Sequence, residues 1–147
     1  SEYEAPEGRM KLIDGVKKTL ILDDSYNASP LSMIASLETL KSLPAKRKIA
    51  VLADMLEIGD YAEDAHKNVG KVAAEVVNHL FCIGPRAHFI AESALKAGLD
   101  SKKVQVFDNS ETAKKMIEKE LKQGDLVLVK GSHAMELEKV LEEIRMI

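Results

Sequence analysis

The fold of this chain can be read outward from residues 20–30, whose sequence is LILDDSYNASP. Residues 20–22 form an apolar run that is typical of a strand buried on both faces of a sheet. The run stops at two carboxylates and passes into residues that hydrogen-bond their own backbone in turns. Ser29 followed by Pro30 predicts a helix start, with serine as the N-cap and proline in the first turn. The stretch therefore reads as a strand, a polar loop and the beginning of a helix.

The same alternation continues along the chain. Further strands are expected at Lys48–Ala53, Leu80–Ile83, Val104–Phe107 and Leu126–Val129, and segments with helical spacing of apolar residues separate them. Alternating strands and helices give parallel strands joined by right-handed crossovers. We therefore predict an α/β, Rossmann-like three-layer domain, with a mostly parallel sheet of about five to six strands and helices on both faces.

Two local expectations complete the predicted organisation. Residues 1–13 do not fit the alternation, and we interpret them as a linker that runs into a short edge strand. Asp60 and Glu63 have the spacing of a capping box, which predicts that a helix begins there and runs to about Asn78. With 147 residues and 46% hydrophobic content, the chain is long enough for one buried core, so we predict a single domain.

Composition also limits the class of function. The formal charge is −3 and no basic block occurs, so nucleic acid is not expected as a partner. No apolar segment approaches the roughly 20 residues needed to span a bilayer, and residues 1–7 are unlike a signal peptide, so membrane insertion is not expected. The single cysteine, Cys82, lies in an apolar run and fits a reducing cytoplasm, which is the expected location.

Polar residues follow each predicted strand, and the carboxyl ends of parallel strands meet at one edge of a sheet, where ligands bind in such folds. Lys130, Gly131 and Ser132 place a cation, a glycine that permits close approach, and a hydroxyl together, which suits an anion. For Asp54 and Asp108, a helix-capping role is an equally good interpretation. The residues at this edge are Asp23, Asp24, Ser25, Tyr26, Asn27, Asp54, Glu57, Arg86, Asp108, Asn109, Lys130, Gly131 and Ser132.

The usual phosphate-binding loops do not occur in the sequence. Neither G-x-x-x-x-G-K-[ST] nor G-x-G-x-x-G is present, so another domain would have to hold the phosphates if the protein uses ATP. The four histidines and the one cysteine lack metal-ligand spacing, and we therefore predict no metal site in this chain.

Three segments together resemble the C-terminal domain of the Mur ligases. They are residues 24–30 (DSYNASP), residues 51–59 (VLADMLEIG) with His66 downstream, and Lys130-Gly131-Ser132 with Met135. Their order and spacing fit as well as their letters, and the resemblance runs from Gly8-Arg9 to the end of the chain. The chain departs from the pattern at Ser29, where the family commonly has asparagine, and at Ala53, where it has glycine.

The resemblance implies an ATP-dependent amide-forming ligase of peptidoglycan precursor synthesis. In such an enzyme ATP phosphorylates the carboxylate of UDP-N-acetylmuramoyl-tripeptide, and the amine of D-alanyl-D-alanine attacks the acyl phosphate. An N-terminal domain would hold the sugar peptide, and a central domain would hold the ATP phosphates and Mg²⁺. Residues 1–147 would form the C-terminal domain, which would contain no catalytic residue of its own and would be inactive alone.

The resemblance also implies roles for individual residues. Arg9 and Asp24 would bind ATP, with Asp24 at the ribose and Arg9 near the phosphates. Asn27, Lys130, Gly131 and Ser132 would face the incoming dipeptide, whose carboxylate needs a cation or a cluster of donors.

Two other functions remain open at this point. A folylpolyglutamate synthetase-like C-terminal domain would share the fold, although the Tyr26-Asn27 loop argues against it. A phospho-receiver signalling module would also have paired acids, here Asp23-Asp24, and a lysine after the last strand. Such a module needs an aspartate after its third strand, where this chain has Gly84-Pro85.

Overall fold

The computed structural model describes residues 8–146, and the part of the expected linker in residues 1–7 lies outside this range. The chain forms six strands and five α-helices within the described residues. The strands are β1 Lys11–Asp14, β2 Leu20–Asp24, β3 Lys48–Ala53, β4 His79–Ile83, β5 Val104–Phe107 and β6 Leu126–Lys130. The helices are α1 Pro30–Ser42, α2 Ala62–Val76, α3 Ala87–Lys96, α4 Ser110–Glu120 and α5 Glu138–Ile144.

The strands form one mixed sheet in the order β1-β2-β6-β3-β4-β5. Strands β2 to β6 run parallel, and β1 pairs antiparallel with β2 at the edge. The predicted α/β, mostly parallel architecture is therefore confirmed, as is the short edge strand. The last strand along the chain, β6, lies between β2 and β3, so the sheet brings residues distant in sequence to neighbouring positions.

Apolar side chains fill both spaces between the sheet and its helices. One cluster packs α1, α2 and α3 against the face that carries Leu22, Leu52 and Leu128. The other packs α4 and α5 against the face that carries Ile21 and Val127. Because neighbouring strand residues point to opposite faces, these central strands are apolar on both sides, as their continuous apolar runs predict.

Helix starts follow the sequence at some positions and depart from it at others. Ser29 caps α1 as predicted: its hydroxyl accepts a hydrogen bond from the Ser32 amide, and the Ser32 hydroxyl accepts one from the Ser29 amide. The capping box predicted at Asp60 is wrong. Residues 59–61 form a 3₁₀ turn, Gly59 adopts a left-handed φ of +68°, and α2 begins only at Ala62 without a side-chain cap.

The strands β2 and β6 extend further than the apolar runs predict. Strand β2 includes Asp23 and Asp24, and β6 includes Lys130. Since side chains alternate along a strand, the two neighbouring aspartates project from opposite faces of the sheet. This alternation decides which other residues each carboxylate can contact.

Candidate functional site

The polar edge predicted from the sequence is centred on β6. In the sheet register Asp24 of β2 lies opposite Lys130 of β6, and Lys130 in turn lies opposite Leu52 of β3. The loops that follow β2, β3 and β6 therefore meet at one place. This position, where strand order departs from chain order, is where open α/β sheets bind ligands.

Asp24 is held by three hydrogen bonds from three different segments. Its Oδ1 accepts from the Met10 amide at 3.0 Å, and its Oδ2 accepts from the Ser36 hydroxyl of α1 at 2.6 Å. Its Oδ2 also accepts from Nζ of Lys130 at 2.7 Å. The carboxylate is thus fixed in place before any ligand arrives, although its side chain keeps 14% of its exposure.

Lys130 is engaged within the chain. Its side chain is only 4% exposed, and Nζ donates to the Asp24 carboxylate and, at 3.1 Å, to the Asn27 carbonyl. The sequence predicts an ammonium that is available to an anion. In the structure the ammonium instead forms an ion pair with a carboxylate from the neighbouring strand. Its charge is therefore already neutralised within the chain.

Asp23 serves a different face of the sheet. It is 3% exposed, and its Oδ1 accepts from both the amide and the hydroxyl of Ser25, at 3.1 and 2.6 Å. It borders a cavity of about 340 Å³ together with Leu137 and Lys139 on the α5 side. The paired acids therefore do not share one site, as a phospho-receiver module would require.

Arg9 stands at the mouth of the Asp24 corner. Its guanidinium lies 3.9 Å from the centre of the Tyr26 ring, a distance that favours cation–π attraction. Gly8 supports this arrangement because its carbonyl accepts a hydrogen bond from the Tyr26 amide at 2.7 Å. A cavity of about 230 Å³ lies between Arg9, Asp24 and Asn27. The structure thus brings together the two residues that the sequence assigned to ATP.

Ser132 and Asp54 join the loops after β6 and β3. The Ser132 amide donates to the Asp54 carbonyl at 3.0 Å, and the Ser132 hydroxyl accepts from the Leu56 amide at 2.7 Å. The Asp54 carboxylate, 2% exposed, accepts from the Ala87 amide at 2.7 Å and so caps the start of α3. Of the two interpretations of Asp54 that the sequence left open, capping is the one that its contacts show.

A third cavity, of about 370 Å³, opens beside the contact between Ser132 and Asp54. Asn27, Ser132 and His133 border it, and Glu57 contributes the one carboxylate among its lining residues. The Ser132 hydroxyl uses an acceptor site for Leu56, so its own proton remains available to a ligand. Two of the residues assigned to the dipeptide, Asn27 and Ser132, therefore share a cavity.

Gly131 has a packing reason to be glycine. A Cβ at this position would lie 2.5 Å from the Cβ of Ala53 and 3.0 Å from Leu137. The glycine does permit a close approach, but the groups that approach it are Ala53 and Leu137 of the same chain. A direct contact between Gly131 and the dipeptide stays a prediction.

His66, the downstream residue of the second segment, is fully buried and supports the loop after β3. Its Nε2 accepts from the Met55 amide at 3.0 Å, so the ring proton sits on Nδ1, which faces the Ala62 carbonyl. Burial lowers the pKa of His66 below its usual range, and the bond to Ala62 only partly offsets this effect. The ring is therefore a neutral structural group.

Two groups at the site, the Ser36 hydroxyl and the Met10 amide, were not predicted from the sequence. Ser36 is 1% exposed and lies among Met33, Leu37 and Leu40 on the buried face of α1. A hydroxyl on an apolar helix face needs a partner, and this was the signal available in the sequence. The Met10 contribution comes from its backbone amide, so the residue type in the sequence does not indicate it.

Two negative findings apply to the described part of the chain. Across residues 8–146, no three His, Cys, Asp or Glu side chains come together in a way that could hold a metal ion. Within the same range, every helix is too short or too polar to span a bilayer.

Comparisons with known proteins agree with this geometry. The family model described as "Mur ligase, glutamate ligase domain" matches residues 8–133. The UDP-N-acetylmuramoyl-tripeptide–D-alanyl-D-alanine ligase of Bacillus subtilis is 34% identical over 95% of this chain, which corresponds to 34% of that protein. The chain thus spans about a third of the length of the curated relatives it matches.

Solved structures give the same result. The MurF ligase of Thermotoga maritima, crystallised in complex with ADP, superposes with a TM-score of 0.78 and 30% identity over 96% of this chain and 31% of its own. A folylpolyglutamate synthase/dihydrofolate synthase of Yersinia pestis, with a TM-score of 0.57 and 20% identity over 89% of this chain and 30% of its own, shares the fold alone. The folylpolyglutamate synthetase alternative therefore has less support, and the family match excludes the phospho-receiver alternative.

Proposed function

Because this chain belongs to the Mur ligase family, we propose that it is the C-terminal domain of an ATP-dependent ligase. The enzyme would add D-alanyl-D-alanine to UDP-N-acetylmuramoyl-tripeptide through an acyl phosphate. The observation that carries the proposal is the meeting of three sequence segments at one edge of the sheet. Asp24 and Lys130 border one cavity, Glu57 and Ser132 border another, and Asn27 borders both. The Bacillus subtilis ligase named above is similar to this chain over 95% of its length.

The cavity beside Arg9 and Asp24 is the proposed nucleotide contact. A carboxylate has about four lone-pair positions, and three are already used by Met10, Ser36 and Lys130, so about one remains for a ribose hydroxyl. Arg9 lies at the exposed end of this cavity, where its charge would approach the phosphates. The likeness to a MurF ligase crystallised with ADP supports the use of ATP.

The cavity beside Asn27 and Ser132 is the proposed dipeptide contact. The side-chain amide of Asn27 and the free hydroxyl proton of Ser132 are hydrogen-bond donors, as a peptide carboxylate or carbonyl requires. Lys130 and Gly131 were assigned to the same ligand, but neither residue lines this cavity, and Lys130 borders the one beside Asp24 instead. The chemistry itself would depend on positioning and on charge stabilisation when the domains close around the substrates.

Groups outside this chain complete the proposal. A central domain would hold the ATP phosphates and Mg²⁺, and an N-terminal domain would hold the UDP-linked tripeptide. The reaction would take place in the cytoplasm, where these precursors and ATP occur together. None of the contacts described above forms a phosphate-binding loop, so we expect this chain alone to release no phosphate from ATP.

Phosphate release tests this proposal directly. The chain is mixed with ATP, Mg²⁺, D-alanyl-D-alanine and UDP-N-acetylmuramoyl-tripeptide, and the full-length ligase that carries this domain serves as the positive control. We expect phosphate release that needs the dipeptide and the tripeptide from the full-length protein, and a rate no higher than the blank from the chain alone. Turnover by the chain alone, or full-length turnover that does not require D-alanyl-D-alanine, would contradict the proposal.

A further inference from the structure

We propose that Lys130 is a positioning residue for Asp24 and not a ligand of the dipeptide. Its ammonium neutralises and orients the carboxylate that receives the ribose. The inference rests on the proposed function, because it assumes that Asp24 contacts the nucleotide. It replaces the role that the sequence suggested for the lysine and adds Ser36 as a second positioning residue.

The geometry of the lysine supports this role. Nζ lies 2.7 Å from Oδ2 of Asp24 and 3.1 Å from the Asn27 carbonyl, and the side chain is 4% exposed. An ammonium has three donors, and two of them are used inside the chain. The third donor belongs to the cavity that Asp24 and Arg9 border, whereas Lys130 does not line the cavity beside Ser132 that is proposed for the dipeptide.

The sheet itself forms the ion pair. Asp24 and Lys130 are register partners on adjacent parallel strands, and their side chains project from the same face. The Ser36 hydroxyl donates to the same Oδ2 from helix α1 on that face, at 2.6 Å. Two strands and one helix therefore fix the carboxylate orientation without help from a ligand.

Electrostatics also favour a neutralised carboxylate at the ribose. ATP carries several negative charges, and an uncompensated carboxylate at the ribose would repel it at short range. Lys130 offsets that charge from the buried side, while Oδ1 remains bonded only to the Met10 amide. The ion pair thus leaves an oriented acceptor that a ribose hydroxyl can use, next to a polyanion.

A double-mutant cycle in the full-length ligase tests the inference. The variants are Asp24→Asn, Lys130→Met and the two combined, with Ser36→Ala as a milder change. Arg47→Met is the matched control, because Arg47 forms the other partly buried ion pair of β6, with Asp125 at the opposite end of the strand. For each protein, kcat, the KM for ATP, the KM for D-alanyl-D-alanine and the thermal unfolding midpoint are measured.

If Lys130 acts through Asp24, the two single variants each raise the KM for ATP by about tenfold or more, as loss of a charge-assisted contact does. The combined variant then exceeds Asp24→Asn by no more than about twofold, because residues that act as a unit are not additive. Ser36→Ala raises the same KM by a smaller factor. Lys130→Met changes the KM for D-alanyl-D-alanine by less than about threefold, and Arg47→Met changes neither KM.

The unfolding midpoints separate a lost contact from a damaged fold. Lys130→Met leaves Asp24 charged and unpaired, whereas the combined variant removes both charges, so we expect the combined variant to be the more stable of the two. Its KM for ATP should remain high despite this recovery. If Lys130→Met does not fold, the combined variant and Ser36→Ala still give the comparison.

The possible failures are distinct. An unchanged KM for ATP in Asp24→Asn would overturn the proposed nucleotide contact and the inference with it. A raised KM for ATP in Asp24→Asn together with multiplied effects in the combined variant would overturn the inference alone. The inference would also fail if Lys130→Met and the combined variant both raised the KM for D-alanyl-D-alanine tenfold while Asp24→Asn did not.

Discussion

Strand β6 has an ion pair at each end, and the two pairs differ in a way that separates site from scaffold. At the amino end, Arg47 faces Asp125 with 3.6 Å between Nε and Oδ1, and this Nε has no hydrogen-bond partner. At the carboxyl end, Lys130 and Asp24 are 2.7 Å apart, and each makes further hydrogen bonds. The tighter pair lies beside a cavity.

The remaining contacts of the two pairs also differ in kind. Arg47 donates to the Glu120 carbonyl at the end of α4, and Asp125 accepts from the Lys122 amide. These bonds fasten a helix end and a turn to the sheet. In the other pair, Asp24 accepts from the Met10 amide and the Ser36 hydroxyl and remains partly exposed, and Lys130 donates to the Asn27 carbonyl. One end of β6 is closed by its ion pair, and the other presents an acceptor to solvent.

The largest expected effect is the loss of stability on removing either cation, because each change leaves a buried carboxylate without its partner. Lys130→Met should lower the free energy of unfolding by about 3 kcal/mol, because it leaves the charge of Asp24 unpaired in a largely buried position. Arg47→Met leaves Asp125, which is 2% exposed, without its cation, but the pair it breaks is longer and the change also removes a donor that has no partner, so its cost should be smaller, about 2 kcal/mol. Urea denaturation of this chain measures both. Equal losses would show that the two pairs are energetically alike.

The glycines that flank β6 give the next largest effect. Gly131→Ala should cost about 1–3 kcal/mol, because the new Cβ would overlap Ala53. Gly124→Ala meets no atom within 4 Å, but the residue has a left-handed φ of +84°, so its cost should be about 1 kcal/mol of backbone strain.

A second-site change distinguishes these two causes. Ala53→Gly should recover most of the stability lost in Gly131→Ala, since it removes the atom that clashes, and should recover none in Gly124→Ala. Denaturation midpoints of the four combinations decide this. If Ala53→Gly fails to rescue Gly131→Ala, the loss does not come from the Ala53 side chain, and Leu137, 3.0 Å from the new Cβ, becomes the explanation.

The smallest expected effect is the pH dependence of stability that arises from the two buried histidines His66 and His79. Burial lowers the pKa of His66 and of His79 below their usual value near 6.5. At about pH 8, well above the usual pKa, both histidines are neutral in the folded and the unfolded chain, so they add no pH dependence there. As the pH falls below that value the unfolded chain takes up protons first, and the free energy of unfolding should decrease.

His66 should contribute more to this decrease than His79. Protonation of His66 would break the bond that Nε2 accepts from Met55, whereas Nε2 of His79 faces the Gln105 side-chain oxygen, which can accept from a protonated ring. Unfolding by urea between pH 8 and pH 5, combined with NMR titration of both rings, tests this order. A free energy of unfolding that stays constant over this range would contradict the lowered pKa values. If His66 took up its proton at a higher pH than His79, its larger contribution would be contradicted.

The sequence predicted more of the fold than of the site. Strands β3 and β5 have the bounds read from their apolar runs, and Ser29 caps α1 as expected. These features depend on residues near one another in the chain. The start of α2 was wrong at Asp60 because a 3₁₀ turn, with Gly59 in a left-handed conformation, precedes the helix. The capping pattern alone cannot distinguish such a turn from a helix start.

What the sequence determined by itself was the alternation of elements, the polar edge and the three family segments, because each is encoded in local order and spacing. Only the tertiary structure decided that β6 lies between β2 and β3, and therefore that Lys130 contacts Asp24. The same is true of Ser36, which reaches Asp24 from helix α1, and of Asp23, which alternation sends to the other face. The physical reason is that strand order and the distance between two charges follow from how helices cover both faces of the sheet. No short stretch of sequence contains that information.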